Sequence, residues 1–308
     1  MSKLTKVLVT GGSGFIGSYV VERLLSDGLE VVVFDHSQKP HSLDGVTTYL
    51  GDIRDDVAVT EAMSHVDGFI HLAGVLGTQE TIANPKPAIM TNIVAGLNIL
   101  EAAVQYDVSG VNIAVGNHWE HNPYSISKST VERLVSMYRK YRGARVSTVR
   151  ALNAYGPRQS VAEPYGTSRV RKIMPSFIMR ALHGDPIEIY GDGEQVMDMI
   201  FVSDVADFLV DTLYITAGVG PLTEIVEAGT GRSTTVNEIA EAVRRAVMET
   251  NIHDVEITHI PLRGGETPGA VVKADANTHG IVYPIGKELV PLEEGVARTV
   301  FYYMASLS

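Results

Sequence analysis

Two side chains of this sequence, Tyr124 and Lys128, have the types and the spacing to move a proton together. They stand four residues apart at the start of a predicted helix, and this spacing places both on one helical face. An ammonium beside a phenol stabilises the phenolate, and so would the positive ring of a bound nicotinamide. We therefore expect the pKa of Tyr124 to fall, which suits a general base near neutral pH. Exposed Tyr–Lys pairs at this spacing are also common, so the pair needs support from the elements that position it.

The strongest support is a glycine-rich turn near the amino terminus. An apolar run at 7–9 leads into glycines at a three-residue spacing, and an amphipathic stretch follows. Glycine allows a sharp turn and a close approach to phosphates, so the pattern predicts a strand, a turn and a helix whose first amides face a pyrophosphate. The residues expected to contact a dinucleotide in this turn are Gly11, Gly14, Phe15, Ile16 and Gly17.

An acidic residue follows this turn at the place where the ribose of a dinucleotide would lie. The apolar run at 30–34 ends in Asp35, at the distance where an acid binds the ribose hydroxyls. A carboxylate there repels a 2′-phosphate, and the following His36-Ser37-Gln38 contain no arginine to bind one. We therefore expect NAD rather than NADP, with Asp35 and His36 beside the adenosine ribose.

The elements that carry these residues alternate between strands and helices through about residue 150. Strand-like runs lie at 7–10, 30–34, 47–50, 68–72, 111–115 and 145–149. Helical patterns lie at 15–27, 56–64, 87–106 and 124–142. This alternation predicts an α/β fold, a Rossmann-type doubly wound parallel sheet with helices on both faces.

The composition changes after Arg150. Residues 156–195 are rich in Pro, Gly and Arg and are expected to form loops, and the end of the chain is a tail interrupted by glycines. The predicted domains are an NAD-binding Rossmann domain at 1–150, to which 195–217 returns, and a smaller, mixed α/β substrate lobe at 151–194 and 218–308.

The bulk composition is that of a soluble globular protein. Hydrophobic residues make up 45% and charged residues 20% of the 308 residues, and cysteine is absent, which excludes disulfides and thiolate chemistry. The net charge of −11 argues against nucleic acid as a partner. We find no apolar run near the ~20 residues of a membrane span and no signal-peptide pattern, so we expect a cytoplasmic protein without a membrane partner.

Together, the glycine turn, Asp35 and the Tyr–Lys pair resemble the short-chain dehydrogenase/reductase superfamily, in its extended branch that acts on nucleotide-diphosphate sugars. The resemblance covers nearly the whole chain. It implies NAD as the cofactor, with Asp52 and Ile53 at the adenine, Leu72, Ala73 and Gly74 beneath the nicotinamide ribose, and Asn92 near the active site.

The resemblance also implies the substrate side of the site. Residues 150–158, with Asn153 and Arg158, resemble the segment that links the cofactor to the sugar nucleotide, and Gln195 lies in a further motif of the branch. Arg263 matches the arginine that binds the diphosphate, and Thr78 is expected to touch the sugar. The resemblance further implies a homodimer that pairs the helices at 87–106 and 124–142.

Two positions depart from this family pattern. No serine or threonine follows the fifth strand, the connection to Tyr124 is shortened, and Asn117 stands nearest the expected hydroxyl. Its amide can donate to the substrate oxygen in place of the hydroxyl, or Asn117 only caps the shortened loop. Met197 stands where the family has a second diphosphate arginine, a role open to Arg158, Arg169 or Arg171.

These observations lead to one hypothesis and three alternatives. The hypothesis is an NAD-dependent nucleotide-sugar epimerase that forms a transient 4-keto sugar, with Tyr124 as base, Lys128 on the cofactor ribose and Asn117 on the keto oxygen. The alternatives are a 4,6-dehydratase, a decarboxylase of the same family, or a non-catalytic NAD-binding module. No metal is expected, because His118 and His121 have no third ligand nearby.

Overall fold

Strands and helices alternate along the chain as the sequence pattern predicts. The computed structural model describes residues 4–36, 46–250, 254–263, 267–275 and 288–307. The strands are β1 (Lys6–Thr10), β2 (Glu30–Asp35), β3 (Thr47–Leu50), β4 (Gly68–His71), β5 (Ser109–Val115), β6 (Val146–Ala151), β7 (Asn153–Tyr155), β8 (Ile187–Tyr190), β9 (Val196–Met197), β10 (Met199–Phe201), β11 (Val226–Ala228), β12 (Thr234–Thr235), β13 (Ile257–Ile260) and β14 (Val271–Val272). The helices are α1 (Phe15–Ser26), α2 (Asp56–Met63), α3 (Thr78–Ala83), α4 (Pro85–Ala88), α5 (Val94–Tyr106), α6 (Pro123–Arg142), α7 (Ile173–Leu182), α8 (Val202–Gly218), α9 (Val236–Met248) and α10 (Leu292–Leu307).

Seven of the described strands form one parallel sheet. Their order is β3-β2-β1-β4-β5-β6-β11, and every pairing in it is parallel. The chain direction across the sheet reverses between β1 and β4, and open α/β sheets bind ligands at the carboxyl ends of the strands that flank such a point. The predicted Rossmann-type doubly wound sheet is therefore confirmed.

Helices cover both faces of this sheet. On one face, Phe69 of β4 packs with Ile99 of α5 and Val135 of α6 in a single buried cluster. Side chains alternate between the two faces along a strand, so position 68 faces away from the side on which Phe69 lies. A Cβ built on Gly68 would lie 3.4 Å from Leu213 of α8. The sheet is therefore enclosed between α5 and α6 on one side and α8 on the other.

The segment before α5 contains a widened helical turn. Residues Ile89–Ile93 form a π turn between α4 and α5. The whole segment Pro85–Tyr106 has the length and apolar composition of a membrane span. This differs from the prediction that no segment of the chain would have them. The buried side of this segment includes Ala95, Ile99 and Leu100, which belong to the hydrophobic core on one face of the sheet. These surroundings are those of a core helix.

The described chain divides into two units. The first contains residues up to Ala151, with Ser203–Ala228 and Asp275, and the second contains the described residues of 152–202, 229–274 and 288–307. Both ends of the returning segment differ from the predicted 195–217. Residues 196–201 form β9 and β10, which pair with strands of the second unit, whereas β11 pairs with β6 of the first.

The second unit is a mixed α/β structure with its own core. Small sheets pair β8 with β13, β7 with β10, and β9 with β12 and β14. Phe177 of α7, Ile239 of α9 and Val300 of α10 pack together in its buried cluster. Helices α7 and α10 lie where the sequence pattern predicted loops and a tail, because their apolar residues pair with distant segments of the unit.

Candidate active site

The glycine turn lies at the carboxyl end of β1, and its shape depends on glycine. Gly11 has φ = +72°, and its amide donates to the Phe34 carbonyl over 2.8 Å. A Cβ on Gly11 would lie 2.9 Å from the backbone nitrogen of Ala73, and one on Gly17 would clash with the Gly11 carbonyl oxygen. The turn is thus packed directly against the loop that follows β4.

The start of α1 and the end of β2 together fit a dinucleotide. Gly14 gives α1 no side-chain cap, so the first amides, at Phe15 and Ile16, suit an anion. Asp35 is 5% exposed, and its Oδ2 accepts from the Ser13 amide at 3.2 Å. The Ser13 hydroxyl is buried and has no partner among the described residues. A carboxylate, a hydroxyl and uncapped amides match the ribose and pyrophosphate of NAD.

The three residues expected near the adenosine differ in their surroundings. His36 is exposed, with Nδ1 3.1 Å from Asp35 Oδ1. Ile53 is buried, and its carbonyl accepts from Asn98 Nδ2 at 3.2 Å. Arg54 binds the Asp52 carboxylate, with Nε 2.9 Å from Oδ1, and this hydrogen bond lowers the pKa of Asp52 to about 2. Their contacts with the cofactor stay predictions.

Thr10 holds the loop after β4 from one side. Its Oγ1 accepts from the amides of Leu72 at 3.2 Å and Ala73 at 3.3 Å, and it lies 2.7 Å from Nδ1 of His71. The Leu72 amide also donates to the Thr10 carbonyl at 3.1 Å, and the Thr10 hydroxyl and the His71 ring share one hydrogen bond whose donor depends on the tautomer of the ring. Burial, with a smaller contribution from the charge of Lys128, lowers the pKa of His71 to about 3. His71 is therefore neutral at pH 7.

Asn92, in the π turn, holds the same loop from the other side. Its Oδ1 accepts from the Val75 amide at 2.7 Å, and its Nδ2 donates to the Val75 carbonyl at 3.1 Å and to Ser127 Oγ at 2.8 Å. A Cβ on Gly74 would lie 2.9 Å from Asn92 Oδ1, so the loop passes close to the amide. Asn92 thus joins the loop to α6.

Tyr124 and Lys128 lie in the first two turns of α6. The helix starts with Asn122, whose Oδ1 accepts from the Ser125 amide at 2.9 Å. Lys128 is 5% exposed and has no carboxylate within ion-pair distance among the described residues, and burial lowers its pKa to about 8. Burial raises the pKa of Tyr124 in the chain without its cofactor, and the expected fall, which includes the charge of the nicotinamide, stays a prediction. The lysine does not offset the desolvation of the phenol.

The shortened loop before α6 is closed by the carboxylate of Glu120. Asn117 Nδ2 donates to Glu120 Oε2 at 2.7 Å, and Asn122 Nδ2 donates to the same oxygen at 2.9 Å. The residue that caps α6 is Asn122, and Asn117 binds within the shortened loop, which agrees with the alternative that Asn117 caps this loop. A role of its amide toward substrate stays a prediction.

Thr78 follows the cofactor loop in the first unit. It begins α3 directly after Gly77, which has φ = +107°. Its carbonyl accepts from the Thr81 hydroxyl at 3.1 Å, and its side chain is partly buried. Contact of Thr78 with a sugar stays a prediction.

In the second unit, Tyr190 gathers three polar side chains. The Arg263 guanidinium carbon lies 4.5 Å from the centre of its ring, and Arg171 Nη1 donates to its hydroxyl at 2.6 Å. Gln195 Nε2 donates to the Tyr190 carbonyl at 2.9 Å, while Gln195 Oε1 is buried without a described partner. The two guanidinium groups make the surroundings of this ring cationic, and Glu188 lies 3.9 Å from Arg171. Tyr190 was missed because its strand carries no motif.

A buried carboxylate organises the neighbouring residues of the second unit. Asp198 is fully buried, and it accepts from the amides of Thr230 and Gly231, each at 2.8 Å. Its carbonyl accepts from the Asn153 amide at 3.1 Å, which fixes β7 beside β10. Arg158, after β7, has φ = +71°. Asn153 and Arg158 therefore lie on one short segment of the chain. None of the residues that gather around Tyr190 belongs to this segment.

The doubly wound sheet, its glycine turn and the pair of partly buried Tyr124 and buried Lys128 define an NAD-dependent enzyme of the short-chain dehydrogenase/reductase class. The model of the NAD dependent epimerase/dehydratase family matches residues 7–214, and the chain belongs to that family. Its cofactor is NAD, and its chemistry is that of nucleotide sugars.

Three comparisons place the chain within this family. The UDP-glucose 4-epimerase of Thermus thermophilus, solved with NAD, is 29% identical with a TM-score of 0.83, and the match covers 98% of this chain and 100% of that one. The low-salt glycan biosynthesis protein Agl12 of Haloferax volcanii is 30% identical over 78% of this chain and 82% of that protein. The UDP-glucuronic acid decarboxylase 1 of Xenopus tropicalis is 26% identical over 98% of this chain and 73% of that protein.

Proposed function

We propose that the protein is an NAD-dependent nucleotide-sugar 4-epimerase that works through a transient 4-keto sugar. The observation that supports this most directly is the Tyr124–Lys128 pair on α6, joined through Ser127 and Asn92 to the loop after β4. The similarity to a UDP-glucose 4-epimerase over nearly the whole chain supports the same reaction. The nucleotide and the sugar are to be found by experiment, with UDP-glucose as the first probe.

The chemistry that NAD supplies when bound is reversible hydride exchange with C4 of the sugar. Tyr124 Oη takes the proton of the 4-hydroxyl as the C4–H bond breaks, and it returns that proton after the keto sugar presents its other face. Because burial raises the pKa of Tyr124, this step needs nearby positive charge. Lys128, with a pKa of about 8, is charged at neutral pH and provides part of it while it binds the cofactor ribose.

The loop before α6 favours epimerisation over 4,6-dehydration. Dehydration needs additional acid–base groups, and Glu120 is the acid nearest the position expected for one. Its Oε2 already accepts two amide hydrogens, from Asn117 and Asn122, so it serves to close the loop. Asn117 keeps a second amide hydrogen, which we assign to the oxygen of the keto sugar.

For the diphosphate, we propose Arg263 together with Arg171. Both guanidinium groups lie on Tyr190, and Arg171 thus supplies the cation that Met197 does not. Glu188 lies 3.9 Å from Arg171 but only 2.8 Å from Arg180. The carboxylate therefore pairs mainly with Arg180, and the two arginines on Tyr190 attract a dianion.

We also propose a homodimer formed by α5 and α6. The exposed side of α6 carries Ile126, Met137 and Tyr141, and Met90 is exposed just before α5. These apolar side chains suit burial against a second copy of the chain. Helix α6 also carries Tyr124 and Lys128, so pairing would hold the helix of the proposed base in place.

The reaction is tested by incubating the purified protein and NAD with UDP-glucose, UDP-N-acetylglucosamine and UDP-glucuronic acid. An unchanged mass with inverted configuration at C4 is the expected result. Loss of water would instead indicate a dehydratase, and loss of carbon dioxide a decarboxylase. NAD binding without turnover of any sugar nucleotide would favour a non-catalytic module.

A further inference from the structure

Arg150 binds the carboxylate of Glu132 through two parallel hydrogen bonds. Its Nη2 donates to Glu132 Oε1 at 2.7 Å, and its Nε donates to Oε2 at 2.8 Å. The two side chains are only 14% and 10% exposed, so the contact lies largely out of water. The pair joins β6, which contains Arg150, to α6, the helix of Tyr124 and Lys128. A bidentate pair fixes the direction of the carboxylate as well as balancing its charge.

Glu132 stands one helical turn after Lys128, at a spacing that usually brings two side chains together. Side chains four residues apart on a helix are neighbours, with about 5–6 Å between their Cβ atoms. Long helical side chains lean toward the N-terminus of their helix, so a released glutamate at 132 would lean toward Lys128. Among the described residues, however, Glu132 forms its ion pair with Arg150, and Lys128 forms none. The expected pair on the helix is replaced by a pair between the helix and the sheet.

Burial makes the separation of these two charges important. Lys128 is 5% exposed, and burial lowers its pKa to about 8. Burial, with a contribution from this positive charge, also lowers the pKa of His71 on β4, so His71 stays neutral beside the ammonium. A carboxylate next to a buried ammonium would balance its charge and hold it in an ion pair, because charges attract more strongly away from water. The ammonium would then be withdrawn from the cofactor ribose and from the phenol of Tyr124.

We propose that Arg150 is a positioning residue that holds the Glu132 carboxylate away from Lys128. It thereby keeps the Lys128 ammonium available to the cofactor ribose and to the proposed base. This role rests on the function proposed above for Lys128, and it is the same for whichever sugar nucleotide the enzyme uses. Glu227 of the neighbouring strand β11 lies 3.1 Å from Arg150 Nη1 and also accepts from the Asp275 amide at 2.7 Å. The guanidinium is therefore held from a second side.

Replacing Arg150 with methionine, alone and together with Glu132→Gln, tests the proposal. In Arg150→Met the released carboxylate should pair with Lys128, and the pKa of Lys128 should rise by about 1–3 pH units. In the double variant that carboxylate is gone, so the pKa should return to the wild-type value. Carbon-13 NMR of labelled lysine Cε in the NAD-loaded protein, assigned with Lys128→Arg, measures it. This readout needs no turnover, so a failure of the proposed epimerase reaction would not affect it.

Arg142→Met is the matched control. Arg142 also binds a glutamate through two hydrogen bonds, to Glu101 Oε1 at 2.6 Å and Oε2 at 3.0 Å, but Glu101 lies on α5. Its loss should leave the pKa of Lys128 unchanged. An unchanged Lys128 pKa in Arg150→Met, or a rise that persists in the double variant, would overturn the proposal.

A single substitution keeps the proposal testable if Arg150→Met does not fold. Glu132→Gln removes the carboxylate and leaves Arg150 paired with Glu227. A carboxylate that is held away contributes nothing to the charge of Lys128, so we expect the wild-type pKa for this lysine. A lower pKa in Glu132→Gln would show that the carboxylate already acts on the ammonium, which would also overturn the proposal.

Discussion

Asn92 donates a hydrogen bond to Ser127 across 2.8 Å, and this contact joins the π turn to α6. Ser127 Oγ in turn donates to the Tyr124 carbonyl at 2.9 Å. The loop after β4 and the helix that carries the proposed base therefore share one hydrogen-bond network. The orientation of Tyr124 relative to the cofactor loop depends on a serine that takes no part in the chemistry.

Replacing Ser127 with alanine should lower kcat while leaving KM nearly unchanged. The change removes one buried hydrogen bond, and a misplaced base acts less well on the same bound substrate, so we expect a loss of about tenfold. Steady-state kinetics measure it. Ser129→Ala is the matched control, because among the described residues the Ser129 hydroxyl binds only the Ile126 carbonyl of its own helix. Equal effects of the two substitutions would contradict the network.

Tyr124→Phe should nearly abolish epimerisation. A positioned general base contributes about 10²–10⁴-fold to the rate, and phenylalanine cannot accept the proton. NAD binding, followed by quenching of protein fluorescence, should be retained. Tyr141→Phe removes a hydroxyl from the exposed side of the same helix and should keep full activity. Full turnover by the Tyr124 variant would rule out this tyrosine as the base.

His71 should make the protein less stable in mild acid. Its pKa is about 3 in the folded chain against 6.5 in its ordinary state, so below pH 6.5 the unfolded chain binds a proton that the folded chain does not. Stability is then lost as the pH falls from 6.5 toward 3, by about 1.4 kcal/mol per pH unit. His71→Asn keeps an acceptor for Thr10 and should reduce the loss between pH 7 and pH 5 by about 2 kcal/mol.

Urea unfolding at the two pH values measures this difference. His65→Gln, at an exposed histidine, serves as the control and should behave as the wild type. If His71→Asn shows the same pH dependence as the wild type, His71 does not stay neutral in the folded protein.

Arg171→Leu should weaken UDP binding. The substitution removes one of the two guanidinium groups on Tyr190, and charge-assisted contacts to a phosphate are worth about 1.5–3 kcal/mol, so we expect a ten- to hundredfold rise in Kd. Calorimetric titration of the NAD-loaded enzyme with UDP measures it. Arg169→Leu is the control, since Arg169 is exposed two residues away. A larger effect at Arg169 would transfer the assignment to that residue.

Met137→Glu should convert the dimer to a monomer. A carboxylate in the centre of the apolar side of α6 would be buried without a partner in the paired state. Light scattering at micromolar concentration detects the change. Val219→Glu places the same charge at an exposed valine outside α5 and α6 and should leave the dimer intact. A monomeric wild type would refute the pairing itself.

Much of the first unit follows from local sequence patterns. The strands at 7–10 and 30–34 and the helix after Gly14 were predicted within one or two residues, because their periodicity and glycines act over short distances. The end of the returning segment was misplaced. That boundary depends on β11 pairing with β6, far away in the chain, and a short apolar run does not reveal its partner.

The site residues likewise divide into those that a local pattern reveals and those whose contacts depend on distant parts of the chain. Tyr124 and Lys128 are visible from their spacing alone. The contacts around these two residues cannot be read from spacing, because the partners are far apart in the sequence. Thr10 contacts His71 from 61 residues away, and Asn92 contacts Ser127 from 35 residues away. Burial raises the pKa of Tyr124 in the chain without its cofactor, an effect that the spacing does not show, and the predicted fall beside the nicotinamide stays a prediction.

A π turn contains one residue more than an α-helix would use over the same rise. Removing one residue from Ile89–Ile93 would restore regular winding and could leave the helix itself intact. The residues before the deletion would then rotate by about 100° relative to those after it. The Asn92 side chain would no longer be oriented toward Val75 and Ser127 and would lose its hydrogen bonds with them. The extra residue therefore sets the rotation at which Asn92 meets the loop after β4 on one side and α6 on the other.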